Sequence, residues 1–169
     1  DLLSIDHPIL LAPMAGVAGA KLAKAVSAAG GLGLVGGGYG DRDWLAAELL
    51  TLSGTTKFGV GFITWRLDKQ PELLNLALDY GPCCIFLSFG NIAPYVDQIK
   101  RAGAKIIAQV QTLEDAKQAA ENGADIIVAQ GTEAGGHGSS RATMSLLPAV
   151  VDALDPIPVL GAGGIADGR

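Results

Sequence analysis

The chain writes one unit twice, almost verbatim: a helical end, Gly-Ala, one charged residue, then an Ile-rich run. It reads Ala102-Gly103-Ala104-Lys105-Ile106-Ile107 and then Asn122-Gly123-Ala124-Asp125-Ile126-Ile127. Short apolar runs recur in this way along all 169 residues, at 9–15, 32–36, 58–63, 83–89, 105–110, 125–130 and 158–163. They are rich in Val, Ile, Leu and Phe and do not alternate with polar residues, the mark of parallel strands covered on both faces. Helical patterns lie between them, at 20–29, 43–52, 71–80, 93–102, 113–122 and 144–154. The spacing is that of βα units and predicts seven strands with six complete connecting helices in a single domain.

Local chemistry marks the boundaries. Thr112 precedes a first helical turn carrying Glu114 and Asp115, where carboxylates favour the helix dipole. Gly30, Gly81, Gly103 and Gly123 each follow a helical pattern, where glycine readily takes the left-handed C′ conformation. Two architectures accept such a pattern, an open doubly wound sheet and a (β/α)8 TIM barrel. A doubly wound nucleotide fold places its glycine fingerprint after the first strand. Here the glycine-rich chemistry follows the sixth and seventh apolar runs, which favours a barrel with its functional rim at the C-terminal strand ends. The chain opens on Asp1 and stops on Arg169 as a seventh helix would begin. The expectation is therefore a barrel truncated after strand seven, one domain over 1–169, incomplete at its C-terminus.

Composition narrows the function classes. An apolar share of 49% excludes disorder, and 24 glycines without a collagen period point to tight turns and close backbone approach. No run of roughly 18 apolar residues is free of a charge or a Gly/Pro break, so a membrane span is not expected. A net charge of −5 argues against a nucleic-acid partner. Cys83 and Cys84 are adjacent, and neighbours in a strand point to opposite faces, so two buried thiols are expected rather than a disulfide. With no secretory pattern at the N-terminus, the expected compartment is the cytoplasm. No His, Cys and carboxylate cluster has ligand spacing, so no metal is expected.

Three segments carry candidate chemistry. Gln130-Gly131-Thr132-Glu133-Ala134-Gly135-Gly136-His137-Gly138-Ser139-Ser140 directly follows the sixth run. His137 there suits a general base, or the segment is a solvated loop whose His caps a neighbour. Leu160-Gly161-Ala162-Gly163-Gly164-Ile165-Ala166-Asp167-Gly168 ends the seventh run, with a helix expected near Ala166. Free amides there would hold a phosphate, or the glycines make a plain turn. Ala12-Pro13-Met14-Ala15-Gly16 ends the first run and forms either a wall for a flat ring or a strand terminus with Met in the core. Gln109 is placed to hydrogen-bond a ligand from the rim. Gly36-Gly37-Gly38-Tyr39-Gly40 reads as a mobile loop, His7 as a surface residue, and Trp65-Arg66 as either a substrate mouth or a cover for the barrel end.

Together these segments, with Phe58-Gly59-Val60-Gly61-Phe62, Gln109-Val110 and Gly161-Ala162-Gly163-Gly164-Ile165, resemble the nitronate monooxygenase family, formerly the 2-nitropropane dioxygenases. The scaffold is also similar to the flavin-dependent enoyl-acyl-carrier-protein reductases, which share a Gly-Gly-His loop. The resemblance implies a (β/α)8 barrel with FMN at its C-terminal rim. Pro13, Met14 and Ala15 would line the isoalloxazine, and Gln109 and Gln130 would bond its polar edge or ribityl chain. Gly135 and Gly136 would approach the ring or phosphate side, and Gly163 and Gly164 would supply phosphate-binding amides. His137 would take the α-proton of a nitroalkane or orient a nitronate. The implied reaction consumes dioxygen and yields a carbonyl compound and nitrite.

Two departures stand out. Many members carry Asn where this chain has Gly61, and the eighth strand with its Gly-Thr segment is absent. Strands one and seven would then be unpaired edges, and the excerpt is expected to hold FMN weakly. Two other functions fit the same residues: an NAD(P)H-dependent flavin reductase acting on an enoyl thioester or quinone, and a non-catalytic phosphate- or nucleotide-binding barrel.

Overall fold

Six of the seven apolar runs become strands, all parallel and hydrogen-bonded in chain order. A computed structural model describes residues 2–52, 54, 57–138 and 140–167. Within them the strands are β1 (Gly33–Gly36), β2 (Phe58–Ile63), β3 (Cys84–Ser88), β4 (Lys105–Val110), β5 (Ile126–Gln130) and β6 (Val159–Ala162). The helices are α1 (Ala20–Ala28), α2 (Arg42–Leu52), α3 (Thr64–Leu67), α4 (Glu72–Asp79), α5 (Ala93–Arg101), α6 (Leu113–Glu121) and α7 (Thr143–Leu154). The short α3 was not legible in the sequence pattern. A doubly wound sheet reverses its strand order at a switch point. The order β1-β2-β3-β4-β5-β6 has no reversal, so the sheet is wound as a βα-barrel wall is wound.

The expected first strand is a correction. Residues 9–15 contribute a single parallel bridge, Leu10 to Leu32, so the ladder has six strands and not seven. Leu11 donates to the Leu32 carbonyl and Leu32 to the Ile9 carbonyl, both across 2.9 Å. Pro13 then has no N–H to continue the pairing. The chain turns there, with Ala18 donating to the Met14 carbonyl across 2.9 Å. The helix expected near Ala166 is not seen through Asp167, where the backbone only bends; Gly168 lies outside the described residues, as does Ser139.

Two apolar layers enclose the sheet. Val35, Val60, Ile85, Leu87, Ile106 and Ile127 face the helices and pack on Leu45, Leu49, Leu74 and Ile99. Leu34, Cys84, Phe86, Ile107, Ile126 and Val128 face the other side, where Leu3 and Leu32 join them. Burial on both faces is why the strands read as unbroken apolar runs. The charged residues of the two repeated units meet: Lys105 Nζ lies 3.5 Å from Asp125, whose Oδ2 also accepts the Ile106 amide at 2.8 Å. The four helix-ending glycines all have positive φ, and Thr112 accepts the Asp115 amide as N-cap. Both cysteines are free, Cys84 buried and Cys83 only half-buried, which amends the expectation of two buried thiols. The hydrogen bond to Cys83 and burial push the Cys84 thiol up.

Candidate active site

The inward face of the sheet turns polar at its C-terminal end. Side chains on one face recur every second residue, so Ser88 follows Phe86, Gln109 follows Ile107, and Gln130 follows Val128. Ser88 pairs in register with Gln109, and Gln109 with Val128. The three side chains form a chain of hydrogen bonds. Ser88 Oγ donates to Gln109 Oε1 across 3.3 Å, and Gln109 Nε2 donates to Gln130 Oε1. Gln111 Nε2 donates to the same Gln130 oxygen across 2.8 Å. Gln130 is buried, and a buried carboxamide needs these partners.

The glycine-rich segment after β5 is held at alternate residues. Glu133 Oε2 accepts the Thr143 amide at 2.8 Å and its hydroxyl at 2.9 Å, at the start of α7. These bonds hold the exposed Glu133 carboxyl below the usual carboxylate range. Gln130 Nε2 donates to the Gly135 carbonyl across 3.2 Å, and Gln111 Nε2 to the His137 carbonyl across 2.8 Å. The loop is thus fastened, not a free solvated segment. Its imidazole packs on Phe89, with ring centroids 5.2 Å apart and planes tilted by 56°. Among the described residues nothing hydrogen-bonds the His137 ring nitrogens, so both are open to a ligand. Phe89 takes φ +62°, a left-handed conformation that is costly for a bulky residue and typical of functional positions.

The second glycine segment lies against the first. A Cβ on Gly163 would fall 2.6 Å from the Ala134 nitrogen and 2.8 Å from Thr143 Oγ1, so only glycine fits. Gly131 donates to the Ala162 carbonyl across 3.0 Å, locking the two loops together. The amides of Gly163, Gly164 and Ile165 have no acceptor among the described residues. Gln109, Gln130, Gly135, Gly136, His137, Gly163 and Gly164 therefore share one end of β4, β5 and β6. Pro13, Met14 and Ala15 sit apart, beyond β3, over the ends of β1 and β2. There a Cβ on Gly61 would fall 2.2 Å from Pro13 Cβ, and one on Gly36 2.6 Å from the Met14 carbonyl oxygen. Met14 is exposed rather than in the core. A cleft of 340 Å³ opens between the segment after β3 and α6, across the end of β4, lined by Phe89, Asn91, Gln109, Gln111, Asp115 and Gln118 among others.

Sequence reasoning overlooked Ser88, Phe89, Gln111, Glu133 and Thr143. The period-two pattern contained a signal for Ser88, the last inward residue of β3. Phe89 and Gln111 carry no local signal, because their roles depend on a loop distant in sequence. Among the described residues no group of three or more His, Cys, Asp and Glu could hold a metal. None of the helices is long and apolar enough to cross a membrane.

A parallel six-stranded sheet in unbroken order, with polar side chains and glycine loops gathered at the C-terminal strand ends, defines an α/β protein wound as half of a βα-barrel, with its candidate site at that end. The chain belongs to the nitronate monooxygenase family, whose model matches residues 1–72 and 67–169. It is 35% identical over its whole length to a (3aS,4S,5R,7aS)-5-hydroxy-7a-methyl-1-oxo-octahydro-1H-indene-4-carboxyl-CoA dehydrogenase of Mycobacterium tuberculosis, covering 48% of that protein. Among solved structures it is similar to FabK from Thermotoga maritima, with TM-score 0.91 and 36% identity over 99% of this chain and 54% of that one. It is also similar to nitroalkane oxidase from Streptomyces ansochromogenes, with TM-score 0.85 and 29% identity, covering 95% of this chain and 59% of that one. The chain thus spans about half the length of the relatives it matches.

Proposed function

We propose that these residues are the FMN-binding βα domain of an oxidoreductase that oxidises alkyl nitronates with dioxygen to carbonyl compounds and nitrite. The observation that carries this reading is His137, fixed through its backbone at Gln111 and its ring at Phe89, with both ring nitrogens unengaged among the described residues. A base held in place but free at its nitrogens is ready to take a proton. On a nitroalkane, His137 removes the proton α to the nitro group; on an ionised nitronate it orients the substrate.

The rim residues fit FMN. Three consecutive amides at Gly163, Gly164 and Ile165 lack acceptors among the described residues, and a phosphate would supply them. The Gln109–Gln130 pair presents carboxamides to a polar ring edge or a ribityl chain. Pro13, Met14 and Ala15 offer a wall of backbone and soft side chain, brought close by Gly36 and Gly61. Bound FMN would accept electrons from the substrate and deliver them to dioxygen, while the chain supplies position and polarity.

The visible absorption spectrum of the purified chain, with and without added FMN and after desalting, tests the assignment. Flavin bands that stay with the protein support it. A colourless protein that takes up no FMN counts against it. The 36% identity to FabK favours a second reading, hydride transfer from NAD(P)H through flavin to an enoyl thioester or quinone. Fast anaerobic flavin reduction by NADH or NADPH would select that reading over the first.

A further inference from the structure

Arg66 stands at the rim without a partner among the described residues. The guanidinium of half-buried Arg66 meets no acceptor and no carboxylate among the described residues, and its Nε is buried. Gln70 Oε1 beside it is buried and unpaired as well. A buried charged donor without an acceptor is costly and calls for a physical explanation. The surroundings are shaped around it. Gly40 takes φ +94°, a conformation that favours glycine, and a Cβ there would lie 1.9 Å from Gln70 Oε1 and 2.7 Å from Arg66 Nε, so the loop passes directly over both. Tyr39 and Trp65, the chain neighbours of Gly40 and Arg66, meet with ring centroids 6.3 Å apart and are 56% and 40% exposed. Arg66 rides on α3, directly after β2, and Thr64 anchors that turn by donating to the Ser88 carbonyl across 2.9 Å. The patch is continuous with the Pro13–Ala15 wall through Gly38, where a Cβ would lie 3.4 Å from Ala15 Cβ.

We propose that Arg66 recognises an oxyanion, a carboxylate or phosphate carried by the substrate away from its reacting carbon. The planar guanidinium fork matches such groups. The anion site stands on Arg66 alone; the statement that its ligand is the substrate rests on the oxidoreductase reading.

Trp65 is a built-in reporter once Trp44, the other tryptophan, is replaced by Phe. The Trp44→Phe chain is titrated with succinate, with inorganic phosphate and with the neutral diamide succinamide. A saturable fluorescence change with succinate or phosphate and none with succinamide is expected, and the anion that responds identifies the source. Adding Arg66→Gln is expected to weaken binding about tenfold or more. No saturable response to either anion, or equal affinity in the Arg66→Gln chain, overturns the site. Should Arg66→Gln lose the wild-type circular dichroism, Arg66→Lys replaces it: loss of the fork weakens binding, and unchanged affinity overturns the proposal. In turnover, Arg66→Gln is expected to raise KM for a carboxylate-bearing nitronate about tenfold more than for ethyl nitronate. Equal increases overturn the substrate statement. A chain that binds the anion yet turns over neither nitronate counts against the oxidoreductase reading and leaves the anion site standing.

Discussion

Gln111 Nε2 lies 2.8 Å from the backbone carbonyl of His137 and 2.8 Å from Gln130 Oε1, so one carboxamide fastens the histidine loop to the end of β5. The two residues are 26 positions apart, and only the parallel pairing of β4 with β5 brings them together. Replacing Gln111 by Leu removes both bonds and leaves the Gln130 oxygen with one donor. The expected result is faster amide exchange across 131–138 and a fall in kcat of about tenfold, because small displacements of a catalytic group are expensive. Unchanged exchange and unchanged kcat would show that the loop is held by its other ties.

His137 itself is tested by Asn. Among the described residues the imidazole has no partner at its nitrogens, so its loss removes no hydrogen bond of the ring there and the fold is expected to survive. Turnover of a neutral nitroalkane by the FMN-loaded chain should drop by about 10²–10⁴-fold, the usual share of general-base catalysis. The flavin spectrum should remain. Full activity in His137→Asn would remove this residue from the mechanism.

Gly61 stands where a side chain has no room. An added methyl would fall 2.2 Å from Pro13 Cβ and 2.3 Å from its Cγ. Gly61→Ala must therefore push the 13–15 segment away from β2. Overpacking of this kind costs about 1–3 kcal/mol, readable as a lower midpoint in urea. FMN affinity should fall with it, since the displaced segment is the proposed ring wall. A variant as stable as the parent and equal in affinity would contradict this geometry.

Glu133 supplies a pH dependence with a definite sign. Its folded pKa is depressed by hydrogen bonds from Thr143, so its contribution is fully present above the unfolded value of about 4.3 and is lost as pH falls through the lower folded value. Protection of the Thr143 amide, corrected for intrinsic exchange, should hold above the ordinary carboxylate range and decay below it. Glu133→Gln should lack that decay. Identical profiles for the two chains would remove the carboxylate as the cause.

Much of the fold was legible before any tertiary contact was known. Six strands fall within a residue or two of the apolar runs, and the caps at Thr112 and after α1, α4, α5 and α6 follow local backbone chemistry. The failure at 9–15 is instructive. An apolar run looks like a strand to any pattern reading, but Pro13 cannot donate to the ladder and the segment leaves the sheet to cover Gly36 and Gly61.

The site divides the same way. Residue type and order along the chain determined that glycine loops and one histidine would follow the fifth and sixth strands, because βα periodicity is a local property of the sequence. Which side chains hold that histidine was decided only by tertiary structure. Phe89 and Gln111 reach His137 from the ends of two earlier strands, and Thr143 reaches Glu133 from the following helix. Arg66 is the clearest case. As one letter in the sequence it could cover the barrel end or face a substrate; only its packing under Gly40 leaves its Nε buried and unpaired. Secondary structure follows from neighbours along the chain, whereas the satisfaction of buried polar groups depends on partners that the fold alone brings within reach.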